Sequence, residues 1–144
     1  MSQSCEAALA HGGLKDSAVE IEISALLSDD EAIQALNRTY RGKDKPTNIL
    51  SFPAFEAGAW ASHMTPEQPL LLGDLALGFE TVAREAREKS IAIEDYVAQL
   101  TVHGVLHLLG YDHHTQEDAA RMEQLETTIC HALGLPDPYA EEAA

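Results

Sequence analysis

Positive charge is scarce in this sequence. Lysine and arginine number 9 against 24 aspartates and glutamates, which gives a formal net charge of -15 at pH 7. A chain this acidic repels nucleic acid unless its few basic residues are gathered in one place. Long apolar runs are missing as well, since no stretch approaches the roughly eighteen residues of a membrane span. The start, Met1 to Ala10, lacks the basic leader and apolar run of a signal peptide. We therefore expect a cytoplasmic protein with no membrane partner.

Cysteine is rarer still, and internal repeats and low-complexity segments are absent. The two cysteines, Cys5 and Cys130, lie near opposite ends and neither belongs to a C-x-x-C pair, so neither is assigned to a metal. Without a secretory signal we expect both to be free thiols. A length of 144 residues and an apolar content of 45% fit one domain with one core. A single domain over residues 1–144 is the expectation.

The few basic residues are unevenly placed. Four of the nine fall within eight positions, at Arg38, Arg41, Lys43 and Lys45. One interpretation is a solvated basic loop between a helix and a strand. The other is a basic lip that guides a polyanion to one edge of an acidic body. Composition alone leaves both open.

Three histidines are spaced as ligands of one metal ion. His103 and His107 are four residues apart, which puts both on one face of a helix, one turn from each other. Gly110 tolerates a left-handed turn at the helix end, so the chain can double back and bring His113 to the same point. Three nitrogens with an open fourth position are typical of a catalytic zinc site. We predict one zinc ion on these three, with His114 a solvated neighbour, although an exchange of roles between His113 and His114 stays open.

The histidine spacing also matches the H-E-x-x-H-x-x-G-x-x-H pattern of metzincin proteases, with one difference. Gly104 stands where those enzymes have the glutamate that serves as general base. The sequence thus keeps the metal geometry and lacks the proteolytic base. Asp112 is next to a ligand, and it either orients an imidazole or is simply a turn residue.

Periodicity predicts alternating strands and helices. Strands are predicted at 17–27, 47–52 and 70–77, with helices starting after capping boxes at 28–31 and 115–118, near Phe79, and at Glu94 and Asp95. The pair Gly73 and Asp74 inside the third strand predicts close approach of another backbone. The first helix is expected to bury a stripe ending at Tyr40, and the second to point Glu85 outward. Residues 58–69 are expected to be a surface loop.

In three blocks the chain resembles the YbeY-type metal-dependent endoribonucleases of bacteria. The blocks are Asn37 to Pro53, Leu72 to Leu75 (L-G-D-L), and His103 to His113 (H-G-V-L-H-L-L-G-Y-D-H). The resemblance extends over roughly Ile23 to Tyr139. It implies an α+β fold with a small mixed β-sheet packed with helices, and a zinc ion on His103, His107 and His113. It also implies a cleft arginine at Arg41.

The resemblance further implies a function and its partners. Members of the family cleave single-stranded RNA in ribosomal RNA maturation, at the 3′ end of 16S rRNA, and in ribosome quality control. The implied partners are single-stranded RNA, ribosomal RNA and the small ribosomal subunit, and DNA is not expected. Members usually begin with a further strand and a full helix, and in this chain only Ser4 to His11 corresponds to the end of that helix. We therefore expect the family's N-terminal strand to be missing and a sheet edge to be exposed, whether the true start lies upstream or the fragment is natural.

The chemistry of RNA cleavage fits these residues. Zinc on three histidines lowers the pKa of its water to about 7, or polarises a phosphoryl oxygen. Arg41 is the candidate catalytic cation for the developing charge, and Arg38, Lys43 and Lys45 are candidates for holding the substrate. Whether water or the neighbouring 2′-hydroxyl attacks stays open. Two other classes remain, a metalloprotease or other metal hydrolase, and a non-catalytic ribosome-associated binding module that needs no metal.

Overall fold

A computed structural model describes residues 2–12, 20–56, 58–65 and 67–139 of the chain. Within these residues a three-stranded mixed sheet packs with five α-helices, which confirms the expected α+β class. The elements are α1 (Ser2–His11), β1 (Ile21–Ser28), α2 (Asp30–Arg41), β2 (Ile49–Pro53), a 3₁₀ helix (Ala59–His63), β3 (Leu70–Gly78), α3 (Phe79–Glu88), α4 (Ile93–Leu109) and α5 (Gln116–Ala132). Among the described residues no strand precedes β1. Positions 17–19 of the first predicted strand lie outside them.

The sheet has the order β1-β3-β2, with β3 in the middle. β1 runs parallel to β3, and β2 runs antiparallel to it. Gly73 in β3 has φ 152°, and a Cβ added to it would lie 2.5 Å from the carbonyl oxygen of Phe52 in β2. The close backbone approach predicted for this glycine is therefore confirmed.

Helix α4 is the centre of the core. It contacts β2 and β3 on one side and α1, α3 and α5 around the rest. Ten of its residues are buried, including Val102, Val105, Leu106 and Leu108, none of which is more than 1% exposed. Burial of each such side chain stabilises the fold by roughly 1.5–3 kcal/mol. The helix that carries two of the candidate ligands is thus held from several directions.

Two predictions about buried faces are wrong. Tyr40 is 67% exposed, because it lies at the last turn of α2, where its ring meets only the edge of Phe52 at a centroid distance of 5.4 Å. Glu85 is half-buried and does not point into solvent. It accepts hydrogen bonds from the Tyr96 hydroxyl at 2.5 Å and from the Asn48 amide at 3.0 Å. Packing of α3 on α4 buries these polar groups, and each needs a partner there.

Helix and strand ends differ from the predicted ones by a few residues. The N-cap of α2 is Asp29, whose carboxylate accepts from the Ala32 amide at 2.8 Å, and Gly42 ends the helix in the left-handed region. β2 starts later than predicted and includes Pro53, which an edge strand tolerates because one side needs no donor. The predicted loop 58–69 contains a 3₁₀ helix.

The structure also bears on the two cysteines and on the length and apolar character of the helices. Both cysteines are free thiols, as expected. None of the helices in the described part of the chain has the length and apolar character needed to cross a membrane.

Candidate metal centre

The three histidines predicted as ligands lie together at the end of α4. His103 and His107 are on successive turns, and Gly110 follows with φ 110° in the left-handed region, so the chain reverses and carries His113 back. One ring nitrogen from each histidine lies within 4.8 Å of the others. The Nε2 atoms of His103 and His107 are 3.1 Å apart. Two nitrogens bound to one tetrahedral zinc would be separated by about 3.3 Å, so this spacing fits a metal ion.

The opposite nitrogens of two histidines have fixed acceptors. His103 Nδ1 lies 2.7 Å from Oε1 of Glu126, and His107 Nδ1 lies 2.9 Å from the carbonyl oxygen of Tyr111. A carbonyl and a carboxylate accept, so each Nδ1 carries the proton and each Nε2 keeps its lone pair. Both lone pairs then face the same point, which is the arrangement that a divalent metal needs.

Glu126 is a candidate site residue that the sequence interpretation missed. It is 3% exposed, and its second oxygen accepts from the hydroxyl of Tyr139 at 2.9 Å. A signal was present, because Glu126 follows Met122 by four residues and precedes Ile129 by three. It is thus a carboxylate on the apolar stripe of α5. A buried acid at such a position needs a polar partner, and here the partner is a histidine of the candidate site.

The two residues beside His113 have separate contacts. Asp112 accepts from the backbone N–H of His114 at 3.1 Å, and its other oxygen lies 3.7 Å from the His114 ring. These are the contacts of a turn residue, not those of a carboxylate that orients a ligand. The His114 side chain is 87% exposed, whereas the ring of His113 lies 4.8 Å from that of His107 between centroids.

Burial sets the protonation of the central histidine. Burial, with smaller contributions in the same direction from the neighbouring His103 and His113, lowers the pKa of His107 from 6.5 to about 4. The hydrogen bond to the Tyr111 carbonyl opposes the shift, and the charge of Arg41 adds a small lowering contribution. His107 is therefore neutral at pH 7, the form in which imidazole binds a metal.

The glycine at the protease-base position has a packing role. A Cβ on Gly104 would lie 2.8 Å from Cδ2 of Leu75 and 2.9 Å from Cδ1 of Ile49. The ends of two side chains from β2 and β3 thus occupy the space beside Gly104, and they would have to shift to admit a larger residue there. The glycine at the protease-base position lets the sheet and α4 pack closely.

Arg41 and the three histidines line one cleft. The cleft has a volume of about 620 Å³, and Asn48 and Ser51 are also among its lining residues. Arg41 is the last residue of α2, directly before the left-handed Gly42. The candidate catalytic arginine and the candidate ligands, far apart in sequence, thus line the same space.

The other three residues of the basic cluster, Arg38, Lys43 and Lys45, are not among the described residues that line the cleft. Arg38, on α2, forms an exposed ion pair with Asp44 at 3.5 Å, and Lys43 and Lys45 are exposed on the loop after α2, the basic loop. This loop is tied to α2 by the buried amide of Asn37, which donates to the carbonyl oxygen of Lys45 at 2.9 Å. The loop thus presents its basic side chains to solvent from a fixed backbone.

The chain is similar to proteins of one family. The sequence model of the family described as Endoribonuclease YbeY matches residues 1–134. The chain is 58% identical over 123 residues to the Endoribonuclease YbeY of Rhodospirillum rubrum, covering 84% of this chain and 60% of that protein. It is 52% identical over 122 residues to that of Paramagnetospirillum magneticum, covering 85% of this chain and 73% of that protein. The chain thus spans well under the full length of both relatives.

A solved structure is similar in fold. The solution structure of a Thermotoga maritima protein superposes with a TM-score of 0.52 and covers 95% of this chain and 86% of that one. Sequence identity between the two is 22%, so this similarity concerns the fold alone.

Proposed function

The chain belongs to the Endoribonuclease YbeY family, and from that premise we propose that it is a zinc-dependent enzyme that cleaves single-stranded RNA. The observation that carries the proposal is that Arg41 and the three histidines line the same cleft. A metal alone is compatible with many hydrolases, and an arginine in the same cleft is suited to a phosphodiester, which develops negative charge as it is cleaved.

The metal of the proposal is zinc, with His103, His107 and His113 as its ligands. The Nδ1 atoms of His103 and His107 donate to fixed acceptors, so both Nε2 lone pairs are free for a metal, and three histidine ligands leave a fourth position open, which supports this choice. A zinc ion bound there would supply Lewis acidity and a water of lowered pKa.

The chain's own residues supply the rest of the chemistry. Glu126 and the Tyr111 carbonyl keep two imidazoles oriented. Arg41 offers two parallel N–H donors to the phosphate oxygens, which binds the substrate and stabilises the charge that develops on it.

We assign the binding of the approaching substrate to Arg38 and the basic loop. Arg38, Lys43 and Lys45 are exposed next to the arginine of the cleft, on a chain that is otherwise strongly acidic. We propose that they hold the RNA backbone outside the cleft. The acidic body would repel RNA elsewhere. Binding should weaken steeply with added salt, because the release of counterions from the RNA is less favourable in a more concentrated salt solution.

The cellular role follows from the family resemblance. It supports ribosomal RNA as the substrate, including the 3′ end of 16S rRNA, with the small ribosomal subunit as a partner in the cytoplasm. These assignments stay predictions.

Cleavage of labelled RNA tests the proposal. Purified protein is incubated with single-stranded and duplex RNA of the same sequence, with and without a chelator, and with casein as a protein substrate. We expect cleavage of the single strand only, abolished by the chelator, because a rigid A-form duplex does not bend into a narrow cleft. Proteolysis without RNA cleavage would favour a metalloprotease. Metal-independent RNA binding without cleavage would favour a binding module.

A further inference from the structure

A second cavity adjoins the cleft. It has a volume of about 350 Å³ and shares Gly110, Tyr111 and Asp112 with the lining of the cleft. The turn after α4, which leads to His113, is therefore a common wall of the two spaces. A flexible chain that passes the three histidines and crosses this turn enters the second cavity.

The second cavity contains the protein's single tryptophan. Trp60 lies on the 3₁₀ helix and lines the cavity. Its indole N–H donates to the carbonyl oxygen of Leu109 at 2.9 Å, at the end of the helix that carries His103 and His107. This bond fixes the ring relative to the candidate metal centre. A fixed, partly exposed aromatic ring is a platform on which a nucleobase of any identity can stack.

The same cavity is lined by the cationic side chain of Arg121. Arg121 is exposed on α5, and among the described residues no carboxylate lies within ion-pair distance of it. Within the same residues Arg41 and Arg87 are likewise without an ion pair, whereas Arg38 pairs with Asp44 and Arg84 with Glu88. In a chain with 24 acidic residues against 9 basic ones, an unpaired arginine beside the tryptophan is available for a phosphate.

Two carboxylates narrow the choice of ligand. Asp112 and Asp118 also line the cavity and would repel a free phosphate ion. The Asp112 carboxylate is partly engaged by the backbone of His114. A stacked base adds binding energy that a bare anion lacks, so the cavity suits a nucleotide unit of a single strand better than phosphate alone.

From these contacts we propose that Trp60 and Arg121 form a second RNA-binding subsite, which holds one nucleotide of the single strand next to the cleft. The base stacks on Trp60 and its phosphate contacts Arg121. The strand would then be held on two sides of the histidines, by Arg41 and the basic loop on one side and by this subsite on the other. The proposal rests on the proposed function and extends it.

Intrinsic fluorescence gives a direct test, because Trp60 is the only tryptophan. The zinc-loaded protein is titrated with a single-stranded 2′-O-methyl oligonucleotide of about ten nucleotides, whose integrity is checked on a gel, and in parallel with inorganic phosphate. The oligonucleotide should quench the Trp60 fluorescence, and phosphate at the same concentration should not.

A charge-matched pair of variants isolates Arg121. Arg121→Glu and Arg87→Glu change the net charge equally, and Arg87 is exposed on α3 and lines neither the cleft nor the second cavity. We expect Arg121→Glu to weaken oligonucleotide binding by about tenfold or more and Arg87→Glu by less than about twofold. Trp60→Phe, followed by fluorescence anisotropy of a labelled oligonucleotide, should weaken binding less than Trp60→Ala, since phenylalanine retains a ring.

The results separate the subsite from the enzyme's proposed activity. If the protein cleaves RNA but the Trp60 signal does not change and both charge variants bind equally, the subsite is wrong and the proposed function stands. Quenching by phosphate alone also overturns the subsite. If none of the proteins binds or cleaves RNA, both proposals fail together.

Discussion

At the scale of single residues, substitutions of Arg41 should change the rate of cleavage and leave the stability of the fold nearly unchanged. It is exposed at the end of α2 and lines the cleft, so its side chain contributes little to the core. Arg41→Lys keeps the charge and loses the planar pair of donors, and Arg41→Ala loses both. A donor of this kind is worth roughly 3 kcal/mol in a transition state, or about a hundredfold in rate. We expect Arg41→Ala to lose about that much turnover per bound zinc, and Arg41→Lys somewhat less.

The same variants should melt within about one or two degrees of the parent and retain their metal. Turnover normalised to bound zinc, together with thermal melts, measures both quantities. If Arg41 instead served as a structural cap, both variants would melt earlier at unchanged turnover per folded molecule. Unchanged turnover in Arg41→Ala would remove the residue from the mechanism.

Glu126 links α5 to the candidate metal centre. Its carboxylate accepts from His103 Nδ1 at 2.7 Å. Removal of such a partner typically weakens metal binding by about tenfold to a hundredfold. We expect Glu126→Gln, which keeps an acceptor oxygen and loses the charge, to lie at the low end of this range, measured by competition with a chelating dye. His114→Ala, beside the site but 87% exposed, is the control and should bind zinc like the parent. Equal affinity in both variants would mean that Glu126 has no part in holding the metal.

At the scale of elements, the sequence predicts those features that depend on residues close together in the chain. The turn at Gly110 followed from a glycine after a helical pattern, and the cap at Thr115, whose hydroxyl accepts from the Asp118 amide at 3.0 Å, followed from a capping box. Tertiary packing determines the rest. The partner of Glu126 is 23 residues away on another helix, and the burial of Glu85 depends on a tyrosine of α4. No local pattern contains such contacts, although a carboxylate on an apolar stripe indicates that one exists.

The contact between α4 and the sheet gives an element-scale prediction. A Cβ at Gly104 would lie 2.9 Å from Cδ1 of Ile49 and 2.8 Å from Leu75, tighter than packing allows. Gly104→Ala should therefore lower the free energy of unfolding by about 1–3 kcal/mol, measured by urea denaturation, despite the better helix propensity of alanine.

Ile49→Val provides the matched test, because it removes the Cδ1 atom that the new methyl group would meet. The double variant Gly104→Ala, Ile49→Val should recover part of the loss, which appears as a favourable coupling in the double-mutant cycle. Strict additivity of the two changes would show that the sheet does not press on α4 at this point.

At the scale of the whole molecule, protonation of His107 couples the stability of the metal-free protein to pH. Burial lowers the pKa of His107 to about 4, against 6.5 for an ordinary histidine. Between these values the unfolded chain binds more protons than the folded one, so stability rises with pH across the window. The contribution of neutral His107 to the free energy of unfolding is fully present above pH 6.5 and is lost as the pH falls towards about 4. The metal-free protein should therefore show a falling melting temperature over this range, and His107→Gln should flatten the slope. An equal slope in that variant would assign the pH dependence to other groups.

The uneven distribution of charge determines which part of the surface an anionic ligand can approach. With 24 acidic and 9 basic residues, a polyanion should approach where the basic side chains gather, and Arg41 of that cluster lines the same cleft as the three histidines. The sequence indicated the basic cluster and the histidines separately. That Arg41 and the histidines share one cleft depends on the fold, which brings the end of α2 near the end of α4.

Titration of the metal-free protein with zinc tests the central claim most directly, because one experiment reads both the metal site and the RNA cleavage. The rate of cleavage of a labelled single-stranded RNA is measured as zinc is added in known equivalents. The account predicts no cleavage without metal, a rise that saturates at about one equivalent, and no rise in His107→Ala. Cleavage at full rate in metal-free protein, or an equal rise in His107→Ala, would contradict it.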